Sequence, residues 1–132
     1  MWLPALTGFI CVPFMVAIYL VPNAYTSLLL GIVPGVLFNI YLGNTIATTH
    51  GLVGLRMRAL SSAILFLIIN IIGLGLGPWT TGLLSDYLQG SQGADSLRYA
   101  MVYLLPAMMF WSACHFYLAA RTLRADLAAA PP

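Results

Sequence analysis

The 132-residue sequence contains no lysine and no glutamate; its charge rests on five arginines and three aspartates, so only 6% of residues are charged. An ordinary soluble domain carries about 25% charged residues. With 61% hydrophobic residues and a mean hydropathy of +0.96, the chain cannot clothe itself in a polar surface. Folded in water it would expose contiguous apolar area well beyond what soluble monomers tolerate. Lipid is the expected solvent. Without lysines or a cluster of arginines, no basic face exists to hold a nucleic acid. The segment Met1-Trp2-Leu3-Pro4 lacks a cationic stretch, and Pro22-Asn23 replaces a small-residue cleavage site, so a signal peptide is not expected.

Cysteine is scarce too. Cys11 and Cys114 both stand in apolar sequence, one mid-helix and one near the far end of the last span, so a disulfide is not expected. Buried free cysteine behaves as a small hydrophobe. Enzyme signatures are missing: no H-E-x-x-H, no G-x-S-x-G and no paired aspartates at membrane depth. Catalysis, a metal and a cofactor are therefore not expected.

What the chain does have is long apolar runs. About 20 apolar residues in a helix span the roughly 30 Å of hydrocarbon in a bilayer. Four segments qualify, covering 2–21, 24–48, 59–84 and 97–120, with Arg98 at the edge of the last as the one charge within them. The runs are continuous rather than alternating, so helices are expected and barrel strands are not. The fold class is thus all-α: a polytopic membrane protein of four transmembrane helices in one domain, 1–132. Pro22-Asn23 makes the first two spans an antiparallel hairpin. The connection after the second span carries Arg56 and Arg58. The stretch from Asp86 to Ser96, polar and glycine-bearing, reads as a water-exposed loop. An Ala/Pro tail follows Arg121 and Arg124 and is expected to fray.

Arginine bias orients the spans, since cytoplasmic loops near span ends are enriched in Lys and Arg. Arg56, Arg58, Arg121 and Arg124 fall on one side, with both termini, and Arg98 lies opposite with Asp86 and Asp95. Both termini are accordingly expected in the cytoplasm of a bacterial inner membrane.

Polar side chains at membrane depth face other helices or a water-filled cavity. Asn39 and Asn70 lie near mid-span in the second and third segments. They either bond a neighbouring helix, worth about 0.6 kcal/mol on average, or face a polar solute at the depth where secondary transporters bind substrate. Tyr41, Asn44 and Thr48 share a helix face with three- and four-residue spacing, a stripe that reads either as cavity lining or as a helix seam. Gly31, Gly35 and Pro34 upstream support the seam, and the two readings can hold at different depths. In the third span Gly73 and Gly77 stand four apart, and Pro78 marks a bend. The G-x-G-x-G spacing lacks the context of a nucleotide fingerprint. Asp86 sits at a helix C-terminus, where the dipole disfavours an anion by about 0.3–1 kcal/mol, and Arg98 is its expected partner. His50 and His115 lie towards the cytoplasmic side, suited to relaying protons or simply to hydrogen bonding.

The run Gly73-Leu-Gly-Leu-Gly-Pro-Trp-Thr-Thr-Gly-Leu-Leu-Ser-Asp86, with Gly82 inside it, resembles the eleventh helix of major facilitator superfamily transporters, the spinster-like branch above all. Arg56-Met-Arg-Ala-Leu-Ser-Ser resembles the cytoplasmic connection that precedes that helix. The resemblance implies that the four spans are helices nine to twelve of a partial major-facilitator-type bundle, the second lining the central cavity and the first and fourth facing lipid. It also implies transport of a small-molecule substrate, amphipathic or lipid-like, with Asn39, Tyr41 and Asn44 as substrate-facing candidates, to which Asn70 is added by its mid-span depth. Arg56, Arg58, Gly73, Gly77, Pro78, Gly82 and Asp86 carry the structural motif. Such transporters have twelve helices, so the remaining helices of the transporter or another membrane chain are expected partners beside the lipid bilayer. The family's coupling carboxylates in its N-terminal half have no counterpart here. Two alternatives stand beside this reading: a four-helix exporter working as an antiparallel dimer, disfavoured by the uncharged first span, and a scaffold subunit that transports nothing.

Overall fold

The computed structural model describes residues 1–130. Helix α1 covers Trp2–Leu20 and α2 covers Ala24–Leu52. Their junction follows from local chemistry. Val21 precedes a proline, which disfavours the helical region for it, and it is extended at φ −69°, ψ 128°. Asn23 then caps α2, its side-chain oxygen accepting from the backbone N–H groups of Tyr25 at 2.9 Å and Thr26 at 3.4 Å. The Ser27 hydroxyl reaches back across the turn to the Ile18 carbonyl at 2.7 Å, tying the hairpin together.

After α2, one tight turn at Leu55–Met57 leads into α3, Arg58–Ile69. The helix then widens to a π-helical segment over Asn70–Leu76 before α4, Gly77–Gln92. Proline explains the widening. Pro78 has no N–H to donate and its ring crowds the carbonyl four residues back, and the Gly77 N–H bonds five residues back, to Ile72. A π-helical turn accommodates that mismatch.

The chain reverses at Gly93, whose φ of 53° is the single positive value among the described residues and suits a residue without Cβ. One further tight turn, Gly93–Asp95, opens α5, Ser96–Ala128. The stretch from Asp86 is therefore not an irregular loop. It is exposed as expected, but α4 continues to Gln92 because Leu88, Gln89 and Gln92 are good helix formers and a lone Gly90 costs only about 1 kcal/mol. The tail after Arg124 likewise stays helical to Ala128; its Pro131 and Pro132 lie outside the described residues.

Three continuous helical stretches are long and apolar enough to cross a membrane, where the sequence predicts four: Trp2–Leu20, Ala24–Leu52 and the 74-residue Leu55–Ala128. The third holds both remaining predicted spans, because helical turns carry the chain through the connection between them. It doubles back at Gly93, so that α4 packs against α5. No strand occurs among the described residues, and the chain is an integral membrane protein.

Helix α1 lies between α2 and α5 and packs on both. The fully buried positions there are small or compact: Pro4, Ala5, Cys11, Ala100 and Ala113. Small residues let helix backbones approach closely, which is how membrane helices gain packing energy without a hydrophobic drive. A Cβ placed on Gly8 would come within 2.9 Å of the Ala113 Cβ. Leucines and isoleucines point outward instead, Leu28 at 72% and Leu74 at 75% exposure, the inverse of a soluble core.

One end of the bundle collects the cations. Trp2 of α1 meets Tyr117 of α5 edge-on at 5.4 Å, and the Arg121 guanidinium lies 4.6 Å from the Tyr117 ring centroid. Gly51 of α2 lies against Leu127 of α5. Arg56, Arg58, Arg121 and Arg124 thus share this end. At the other end Arg98 does not serve Asp86. Its guanidinium donates to the Tyr19 carbonyl and, at 2.8 Å, to that of Leu20. The α1 C-terminus offers unsatisfied carbonyls and negative dipole, which a cation on the neighbouring helix meets better than a solvated carboxylate.

Candidate functional site

The rod formed by α3, the π-helical segment and α4 leans on α2 at the arginine-rich end and on α5 at the other. Each contact is pinned by a polar pair. His50 Nε2 and Ser62 Oγ lie 2.6 Å apart, joining α2 to α3, and the hydroxyls of Ser85 and Ser96 lie 3.1 Å apart, joining α4 to α5. Between these pins the rod stands clear of the bundle. A cavity of about 880 Å³ opens there, with Phe38 of α2 on one side and Leu97, Met101, Leu105 and Met108 of α5 on another.

The third wall is the motif run itself. Gly73, Gly77, Pro78 and Gly82 all line this cavity, with Thr80 and Thr81. The glycines open space rather than closing it: a Cβ at 73, 77 or 82 would meet nothing within 4 Å. The close helix contact that the spacing suggested is absent among the described residues. Both threonine hydroxyls donate to carbonyls of their own helix, Thr80 to Leu76 and Thr81 to Gly77, each at 2.9 Å. The wall therefore presents an apolar, uncharged surface. Asp86, exposed, lies outside the lining.

A second cavity, about 210 Å³, sits among α1, α2 and α5 on the other side of Phe38. Tyr41, Phe116 and Ser112 line it with Thr7, Gly8 and Cys11. Phe38 and Tyr41 meet at 4.8 Å and 62°, and Tyr41 meets Phe116 at 6.3 Å and 55°. These offset arrangements are those that aromatic rings favour.

Of the substrate-facing candidates, Tyr41 lines one of these two cavities and the three asparagines line neither. The asparagines turn to their own helices. Asn39 Nδ2 donates to the Gly35 carbonyl at 2.8 Å, Asn44 to Ile40 at 2.9 Å and Asn70 to Phe66 at 2.7 Å. Asn39 and Asn70 are both exposed and are not brought together. Thr45 and Thr49 bond back in the same way. His115 Nδ1 lies 2.9 Å from the Trp111 carbonyl, one turn back. Arg56 and Arg58 are exposed at the bundle end. Sequence reasoning missed Phe38, the residue common to both cavities; the signal was an aromatic three positions before Tyr41, on the same helix face.

No protein-family model matches the chain, and no solved structure matches it. The chain is similar to an MFS-type efflux pump of Mycolicibacterium smegmatis, 29% identical over 127 residues. That alignment covers 96% of this chain and 29% of the pump, so the chain spans less than a third of the length of this curated relative.

Proposed function

We propose that the chain is part of a facilitator-type secondary transporter, one wall of a pathway for a small, uncharged amphipathic or lipid-like solute. The observation that carries the reading is the 880 Å³ cavity walled by Gly73, Gly77, Pro78 and Gly82, in a chain similar to an MFS-type efflux pump over 96% of its length. A transport site needs room, an apolar lining and helices free to change their packing. The cavity offers the first two, and the π-helical segment beside it is a helix irregularity of the kind found at functional sites.

In this reading the chain crosses the bilayer four times, since the 74-residue stretch reverses at Gly93. The passes correspond to helices nine to twelve of a spinster-like permease, and the remaining helices complete the pathway. The end holding Arg56, Arg58, Arg121 and Arg124 faces the cytoplasm, with both termini, in a bacterial inner membrane.

Export of Nile red, an uncharged lipophilic dye, tests the reading. Energised cells expressing the complete transporter that contains this chain are expected to retain less dye than cells without it. Gly77→Leu, which thrusts a side chain into the cavity, is expected to restore retention at equal membrane abundance. Equal retention with and without that transporter sinks the transport reading; full export by Gly77→Leu sinks the cavity assignment.

A further inference from the structure

The geometry points to the smaller cavity as a binding site for a phenolic ring: an uncharged aromatic head bearing one hydroxyl, with an apolar tail. Space sets the first limit. A cavity of 150 Å³ lined by apolar side chains holds benzene, so about 210 Å³ takes one substituted ring. Shape sets the second. Tyr41 meets Phe38 at 62° and Phe116 at 55°, leaving ring faces and edges for a further aromatic to pack against.

Hydrogen bonding selects within that class. The Thr7 hydroxyl donates into its own helix, 3.0 Å from the Leu3 carbonyl and 3.2 Å from that of Pro4. The hydroxyls of Tyr41 and Ser112 make no hydrogen bond among the described residues, and no fully buried polar side-chain atom is left unpaired there. Both hydroxyls are thus reachable and free to pair. A hydroxyl is donor and acceptor at once, so a phenolic hydroxyl can accept from one and donate to the other. No charged side chain lines either cavity, and an ion in this surrounding would go unpaired. Phe38, shared by both linings, stands where a tail attached to the ring would pass into the larger cavity.

This assignment rests on the transport reading only in treating the occupant as a solute; the binding itself stands apart. The probe is radiolabelled 4-octylphenol against octylbenzene, which has the same body without the hydroxyl, on the purified protein in detergent. Octylphenol is expected to bind saturably, one per chain, and octylbenzene at least threefold more weakly. Tyr41→Phe combined with Ser112→Ala is expected to remove that preference, each hydrogen bond being worth roughly three- to tenfold in affinity. Unsaturable binding, equal affinity for the two probes, or a preference that survives the double variant overturns the assignment. Saturable octylphenol binding with no Nile red export would leave the site standing and sink the transport reading; the converse would do the opposite.

Discussion

The two sides of the molecule are built on opposite uses of the same residue. Against α5, Gly8 of α1 closes a contact: its missing Cβ is what lets Ala113 approach, and a Cβ there would sit 2.9 Å from the alanine's. Along the π-helical segment, Gly73 and Gly77 hold a space open, with nothing within 4 Å of where a Cβ would stand. Small residues are read in membrane helices as packing faces, and on the α1–α5 side that holds. On the other side the absence of side chains makes volume. Glycine spacing therefore marks a face where backbone is bared, and the neighbour decides whether that face becomes a seam or a cavity wall.

Gly8→Leu puts the largest strain on this contrast. Forcing a side chain between α1 and Ala113 must move backbone or bend rotamers, and overpacking of that kind costs about 1–3 kcal/mol. Thermal unfolding in detergent is expected to fall by several degrees. Gly73→Leu, with open space before it, is expected to leave the midpoint nearly unchanged. If the two substitutions lower the midpoint equally, glycine is closing contacts on both sides and the distinction collapses.

Much of the tight side was legible in the sequence. Hydropathy gave the runs that became α1 and α2, and Pro22 with Asn23 foretold the turn between them, though not the cap that Asn23 supplies. Less could be read of the loose side. Pro78 signalled a bend, but that the mismatch would spread over Asn70–Leu76 as a π-helical segment depends on hydrogen bonds that spacing alone does not fix. The hydrogen bonds of the asparagines were not legible either: an amide with no partner helix bonds its own backbone, as Asn39, Asn44 and Asn70 do. Phe38 stayed hidden because the spans are apolar on every side, and no periodicity separates a lipid-facing phenylalanine from one on a cavity. Both arginine and aspartate were visible opposite the arginine-rich end, yet the backbone acceptors that Arg98 takes are invisible to a reading of side-chain charges.

On the tight side, Arg98 holds the end of α1 with a moderate effect. Its two donors satisfy the last carbonyls of α1, and hydrogen bonds from a charged donor are worth about 1.5–3 kcal/mol when buried. Arg98 is half-exposed, so about 1 kcal/mol is the reasonable share after solvent screening. Arg98→Leu is expected to speed amide exchange across the last turn of α1, leaving α3 untouched. Arg98→Lys should recover part of the protection, since a point charge still meets the helix dipole but cannot fork to two carbonyls. Full protection in Arg98→Leu would mean the cap is incidental and α1 is held by its small-residue contacts alone.

The smallest effect belongs to the pin on the loose side. His50 and Ser62, 2.6 Å apart, make the polar contact that joins α2 to α3, at the end where α3 otherwise begins in exposed residues. Ser62→Ala removes one partner of a half-buried pair, a loss of about 0.5–1.5 kcal/mol. Global stability should barely register it, because α3 adds little to the packed core. Local opening should register it clearly. Amide exchange in α3 is expected to quicken severalfold, since few apolar contacts and one hydrogen bond hold it to the bundle, while amides of α1 and α5 keep their rates. Equal acceleration in α1 would show that the rod and the bundle open as one unit, and the cavity between them would then be a fixed feature of a single rigid body instead of a space bounded by a separately moving helix.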